Sequence, residues 1–312
     1  MPEIHLTGLQ SRSSLSYRAA LGLLQAVQEI PQMAGSKLSW TSGYNKHAVL
    51  TTEAVELEEM LDLLDDFYAV RVDDPRWRAS GGKEGKKRYQ PNHTMTRERY
   101  REMVREFESH PHRLAWIRGS ATDQAKHPTK TGSAMYTGWD TCRGGSLTSI
   151  HSKAVEVLGG IAKHSKRREA IATTLLGPWA RQDDMNSMGW DERQIMSNAR
   201  LGTSTSNLRK TTELMAMVFA IESLATYPVN ARDGKARTAG MDGRQVTWVT
   251  WEKPVGYETV VAIVDHPLFH QKAPDPSVLG ALGVTGLYRC YLKRNPNTQG
   301  KTDQVTRSFR VF

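Results

Sequence analysis

Cysteine is nearly absent from this chain: Cys142 and Cys290 stand far apart and form no CxxC pair. That excludes a disulfide scaffold and a cysteine-rich zinc site, and fits a reducing cytoplasm. Long apolar runs are missing too, and with a mean hydropathy of -0.54 no transmembrane helix is expected. The opening Met1-Pro2-Glu3-Ile4-His5 has neither a basic nor an apolar leader region, so no signal peptide is expected. Internal repeats and low-complexity tracts are also lacking, which excludes solenoids and arrays. Acidic residues are in the minority. Against 42 lysines and arginines stand 33 aspartates and glutamates, a net charge of +9 that favours polyanionic partners.

What remains is ordinary globular material. A length of 312 residues with 38% hydrophobic residues, eight of them tryptophan, supports one large or two closely packed domains with a real core. Strands are expected at Ile4–Leu9, Lys37–Thr41 and His47–Leu50, where apolar residues alternate. Leu15, Ala19, Leu23, Leu24 and Val27 recur at helical spacing until Pro31, and Glu53–Phe67 is a second amphipathic helix with an acidic first turn. Helices are expected over Thr96–Glu108, Ser146–Ala162, Arg167–Leu176 and Thr211–Tyr227. The tail alternates as strands at Val246–Trp251, Thr285–Lys293 and Val305–Val311. The fold class is therefore α+β, with mixed helices and short antiparallel strands. Four parts are distinguished: an N-terminal α+β part (1–70), a basic loop and helix insert (71–132), a mainly helical part (133–228) and a strand-rich part (229–312).

The chemistry-bearing groups are few. Gly81-Gly82-Lys83-Glu84-Gly85-Lys86-Lys87-Arg88-Tyr89 has three residues between Gly81 and Gly85 where a P-loop needs four, and Lys86 precedes Lys87 rather than Ser or Thr. It reads as a flexible basic arm, with Trp77 or Tyr89 able to stack on a base, or as a solvated surface loop. A second polar loop, Gly119–Gly132, carries Lys126 and Lys130, and a basic run spans Lys163 to Arg168. His266 and His270 stand four apart, but Pro267 replaces the glutamate a zinc protease would need, so they read as surface histidines beside a turn, as do His110 and His112. Asp183, Asp184, Asp191 and Glu192 form the one notable carboxylate cluster. Structural use is the plainer reading of it, and a metal-dependent nuclease built on Asp183, Asp184 and Asp191 is the enzymatic alternative. No GxSxG and no Cys-His pairing occurs, and no cofactor is called for.

Several segments carry a resemblance. His5-Leu6-Thr7-Gly8-Leu9, followed by Leu15-Ser16-Tyr17-Arg18-Ala19-Ala20-Leu21-Gly22-Leu23-Leu24, is similar to the strand and "PLG-x-LAALGLLR" start of CRISPR effector subunits from type I-G/I-U loci. Here Ser14-Leu15-Ser16 replaces Pro-Leu-Gly. Leu176-Gly177-Pro178-Trp179-Ala180-Arg181-Gln182-Asp183 and Gly189-Trp190-Asp191 resemble their "GPW-x-x-x-D … WD" segment. The helix ending in Tyr227-Pro228, then Thr238-Ala239-Gly240 and Trp248 to Pro254, follow in the same order.

The resemblance implies the large, PAM-reading subunit of a type I Cascade. Such a subunit is non-catalytic, binds target double-stranded DNA, stabilises the R-loop and recruits a helicase-nuclease, beside subunits that hold guide RNA. On that reading Lys83, Lys86, Lys87, Arg88 and Asn92 contact DNA, since these side chains read base edges as well as phosphates. Lys126, Lys130, Lys163, Lys166, Arg167 and Arg168 would hold the backbone. A scaffold subunit that touches only proteins is the remaining alternative.

Overall fold

The computed structural model describes residues 1–71, 96–126, 131–139, 142–143, 157, 159–161, 163–184, 189–193, 211–294 and 301–312. Its organising element is helix α1, Ser14–Val27, every residue of which is buried. The Ser13 hydroxyl accepts from the Ser16 backbone N–H and so starts the helix. Burial on all sides follows from its composition, because leucine and alanine occupy faces that a surface helix would leave polar. Its principal partner is α6, Leu214–Glu222, also buried almost throughout. Gly22 makes their crossing possible: a Cβ there would lie 1.6 Å from the Phe219 carbonyl oxygen, so the two backbones touch.

Two antiparallel sheets flank this pair. The first has the order β1-β3-β2, from Glu3–Gln10, His47–Thr51 and Lys37–Trp40. The second runs β11-β12-β13-β14-β6, with β15 also on β13. Its strands are Met241–Asp242, Gln245–Trp251, Val284–Arg294, Lys301–Val305, Cys142–Arg143 and Phe309–Arg310. Tryptophans stitch the sheets together by burying a ring while spending the indole N–H. Trp251 donates to the Leu38 carbonyl at 2.7 Å and Trp248 to the Ser11 carbonyl at 2.8 Å. Tyr17 stacks on Trp40, and Trp248 stacks on Tyr288.

Around this frame lie α2 (Leu57–Val70), α3 (Arg97–Glu106), α4 (Pro111–Ser120), α5 (Arg167–Leu176), α7 (Tyr257–Val264) and α8 (Pro276–Ala281). Short pairs complete it: β4 (Ala121–Thr122) with β5 (Met135–Tyr136), β7 (Asp183–Asp184) with β8 (Thr211–Thr212), and β9 (Val229–Arg232) with β10 (Lys235–Thr238). One buried cluster runs from Ile4 to Val305. The class is the expected mixed α+β. Among the described residues no helix is long and apolar enough to cross a membrane.

Four boundaries differ from expectation, the first being that of the second helix, which runs Leu57–Val70 rather than Glu53–Phe67. The helix expected from Thr211 begins at Leu214, because Thr211 and Thr212 pair with Asp184 and Asp183, and its last turn, Ser223–Thr226, is a 3-10 helix. The strand expected over Val305–Val311 is split into β14 and β15. At the break Thr306 turns its hydroxyl to the Tyr291 N–H and its own N–H to the Tyr291 carbonyl. Gly119–Gly132 is not wholly loop: Gly119 and Ser120 close α4, and Ala121–Thr122 is β4. The helix expected at Ser146–Ala162 lies mostly outside the described residues.

Candidate functional site

Lys83, Lys86, Lys87, Arg88, Asn92 and Lys130 lie outside the described residues. Lys126 is exposed, with its backbone N–H donating to the Gly234 carbonyl. Lys163 is exposed beside the start of α5, and exposed Lys166 pairs with Glu169 at 3.3 Å. The two arginines of the run lie along α2, Arg167 mostly buried and Arg168 on the surface. Arg167 meets the Asp65 carboxylate at 2.9 Å and the Asp65 carbonyl at 3.0 Å, and Arg168 reaches Glu58 at 2.7 Å and Asp62 at 2.5 Å. These acids line α2, so Arg167 and Arg168 join two helices. Their charge is largely answered within the chain before any phosphate arrives.

A second basic region occurs where β1 enters α1, with Arg193 exposed and Arg181 half-buried and paired with Asp191. A cleft of about 360 Å³ lies there, between Thr7, Gly8, Ser13 and Ser16 on one side and Leu176, Gly177, Pro178, Trp179, Arg181 and Arg193 on the other. Gly8 lets α5 come close, since a Cβ there would meet the Thr174 carbonyl oxygen at 2.3 Å. The Thr7 hydroxyl donates to the Leu176 carbonyl, and the Trp179 indole donates to the Thr174 carbonyl at 2.8 Å. The Gly177-Pro178 bond is cis and Arg181 sits at φ 51. The Arg181 guanidinium lies over the Trp179 ring, 5.1 Å from its centroid.

Carboxylates hold this wall in place. Asp191, buried, accepts from Arg181 Nε at 3.0 Å and from the Arg193 backbone N–H at 3.0 Å. Glu213 accepts from the Arg181 backbone N–H at 3.2 Å and from the Thr174 hydroxyl at 3.2 Å. Burial first of all raises the Glu213 pKa, and its donors pull it back. Glu192 accepts from the Ser14 N–H in the first turn of α1 at 3.3 Å. Burial pushes its pKa up to about 7, the Ser14 N–H opposes this, and the charge of Asp191 adds to it. Asp183 accepts from Leu214 N–H at 2.7 Å and so starts α6. Asp183, Asp191 and Glu192 thus each have a structural partner. Among the described residues no group of three or more His, Cys, Asp or Glu is placed to hold a metal ion.

The cleft is suited to binding. Arg181 and Arg193 offer charge-assisted donors to phosphate oxygens, and half-buried Trp179 offers a ring to a base. Among the described residues no histidine or cysteine lines it, and its Thr7 and Ser16 hydroxyls are committed to backbone carbonyls. Sequence reasoning quoted Trp179 and Arg181 for their resemblance and passed over them, with Arg193, as site residues. The usable signal was an aromatic two positions from an arginine, just after Gly-Pro.

The histidines expected at a turn do sit at one. His266 caps the 3-10 helix Pro267–His270 by accepting from the Leu268 N–H, and its ring packs on Phe269. His270 differs from expectation in being half-buried, and burial lowers its pKa. Neither a protein-family model nor a curated protein matches this sequence.

Proposed function

We propose that this chain is a non-catalytic DNA-binding subunit of a CRISPR RNA-guided surveillance complex, at the position of the large subunit of a type I Cascade. In that role it works in the cytoplasm beside guide-RNA-bearing subunits, reads a short PAM in duplex DNA, stabilises the opened strands and recruits the helicase-nuclease. The observation that carries this reading is where the resembling segments meet. Thr7, Gly8 and Ser16 from the first, and Leu176 to Trp179 with Arg181 from the second, line the same basic, aromatic cleft. Trp190, from the second, and Tyr227, from the third, close on Arg18 of the first, whose guanidinium lies 3.9 Å from the Trp190 ring and 6.0 Å from that of Tyr227. Segments scattered along the chain thus build one structural unit, on whose wall stand half-buried Arg181, paired with Asp191, and exposed Arg193.

The test is co-purification with the proteins encoded beside it, followed by sequencing of bound nucleic acid. Recovery of a discrete repeat-spacer RNA with several partner proteins is the expected result. A solitary protein without RNA refutes the assignment. Within an assembled complex, alanine at Lys83, Lys86, Lys87 and Arg88 should weaken PAM-dependent binding more than assembly. Unchanged target binding removes the arm from the interface.

A further inference from the structure

One face of the second sheet ends in an aromatic strip with a basic rim. Along β13, Leu287 to Cys290 are buried on both faces, but from Tyr291 onward one face opens. Tyr291 is 40% exposed and Lys293 is exposed, while Leu292 between them stays in the core. The register sets Phe309 opposite Arg289, hence diagonal to Tyr291, and the two rings stack 6.1 Å apart at 25°. Phe309 is 45% exposed and Val311 37%.

The strip is held still. The Tyr291 hydroxyl donates to Gln245 at 3.4 Å, and Arg289 beneath spends its guanidinium on the carbonyls of Lys272 and Phe269. Around it stand Lys293, Arg307 and Arg244, all exposed, with Arg244 anchored through Nε to the Leu292 carbonyl at 2.7 Å. Asp242, opposite Gln245, marks where the basic rim ends.

Two stacked rings left open to solvent form a ready surface for a third flat ring, and the rim selects the partner. An apolar protein face would leave Lys293 and Arg307 unanswered, and a duplex hides its base faces. A single strand supplies both π-faces and phosphates. We propose that this strip binds single-stranded nucleic acid, with bases stacked on Tyr291 and Phe309 and phosphates against Lys293 and Arg307. The strip shares no residue with the cleft, and the proposal needs neither a guide RNA nor a PAM.

The experiment is fluorescence anisotropy of the purified full chain with labelled oligo-thymidine, oligo-uridine and a duplex, at several salt concentrations. Both single strands should bind more tightly than the duplex, and the difference between them tells DNA from RNA. Tyr291→Ala or Phe309→Ala should each weaken single-strand binding by roughly tenfold. Tyr291→Phe, which keeps the ring, should leave it unchanged. Arg307→Glu, on the exposed rim and outside the core, should weaken binding and lower the salt slope by about one, and it serves if an aromatic variant fails to fold. Single-strand affinity that survives both Tyr291→Ala with Phe309→Ala and Arg307→Glu overturns the proposal. So does a dimer that the double aromatic variant converts to monomer with affinity intact, because the strip is then a protein interface. Absence of co-purifying RNA, which refutes the complex, leaves this measurement standing.

Discussion

Arg18 and Arg71 are both buried and both charged, and the protein keeps them by opposite means. Arg71 closes α2 and forms ion pairs with Glu222 at 2.8 Å and Glu29 at 2.9 Å. Burial alone would pull its pKa down, yet the two carboxylates carry it well above the ordinary guanidinium value. Arg18 has no carboxylate partner among the described residues. It lies between the indoles of Trp139 and Trp190, 3.9 Å from each ring, and donates to the Ala220 carbonyl at 2.9 Å. Its Nε and Nη1 have no hydrogen-bond partner, and burial pulls its pKa down to about 9. An ion pair answers charge with charge, whereas a π-sandwich answers it with quadrupoles and leaves much of the desolvation cost in place. The two regions should therefore respond differently when the cation is removed.

The largest effect is expected at the ion pair. Arg71→Met strands two carboxylates, Glu222 fully buried among them, and should cost about 3–5 kcal/mol in urea denaturation. Arg18→Met fills similar space, orphans no charge, and loses only the ring contacts and one hydrogen bond, so a cost of about 1–2 kcal/mol is expected. Equal losses at the two sites would break the comparison, since they would mean that the indoles stabilise the cation as fully as carboxylates do.

A half-buried carboxylate, Glu192, tests the same idea from the acidic side. The ordinary value of Glu192 is 4.5, and burial raises it to about 7 in the folded protein. Between those values the folded chain holds a proton that the unfolded chain has released, so this group's contribution to stability falls as pH rises from 4.5 to 7. Glu192→Gln should remove that slope and stabilise the protein at pH 8 by roughly 1–3 kcal/mol. Burial lowers the pKa values of His47 and His270, which gives the opposite slope, but both are common to variant and wild type and cancel in the difference. A pH-independent difference between the two proteins would mean that Ser14 and the cleft arginines already compensate the Glu192 charge.

The same contrast explains what could be read from the chain beforehand. Strands β1, β12 and β13 and helices α1 and α5 were legible, because each rests on a pattern within a dozen residues. The hairpin β9–β10 was missed although its turn, Asp233-Gly234 with both φ positive, was written in the sequence. The start of α6 was not legible, since Thr211 and Thr212 are claimed by Asp183 and Asp184 far upstream. Basic residues were visible by type, but which of them are neutralised depends on tertiary contacts. Arg167 and Arg168 find their acids more than 100 residues away on α2. Arg181 and Arg193 gain their site meaning only from the turn that brings them beside β1.

The smallest expected effect concerns that neutralised run. Arg168 is held by Glu58 and Asp62, and these contacts raise its pKa while leaving it on the surface. Surface pairs of this kind add little to stability, so replacing both acids, Glu58→Gln with Asp62→Asn, should leave the melting temperature unchanged. Electrostatics should change instead. With its partners removed, Arg168 joins Lys163 as available charge, and binding to non-specific duplex DNA should tighten about two- to threefold at low salt and return to the wild-type value at high salt. Unchanged affinity at low salt would mean that the run from Lys163 to Arg168 does not face nucleic acid, which would leave Arg167 and Arg168 the single task of joining α5 to α2.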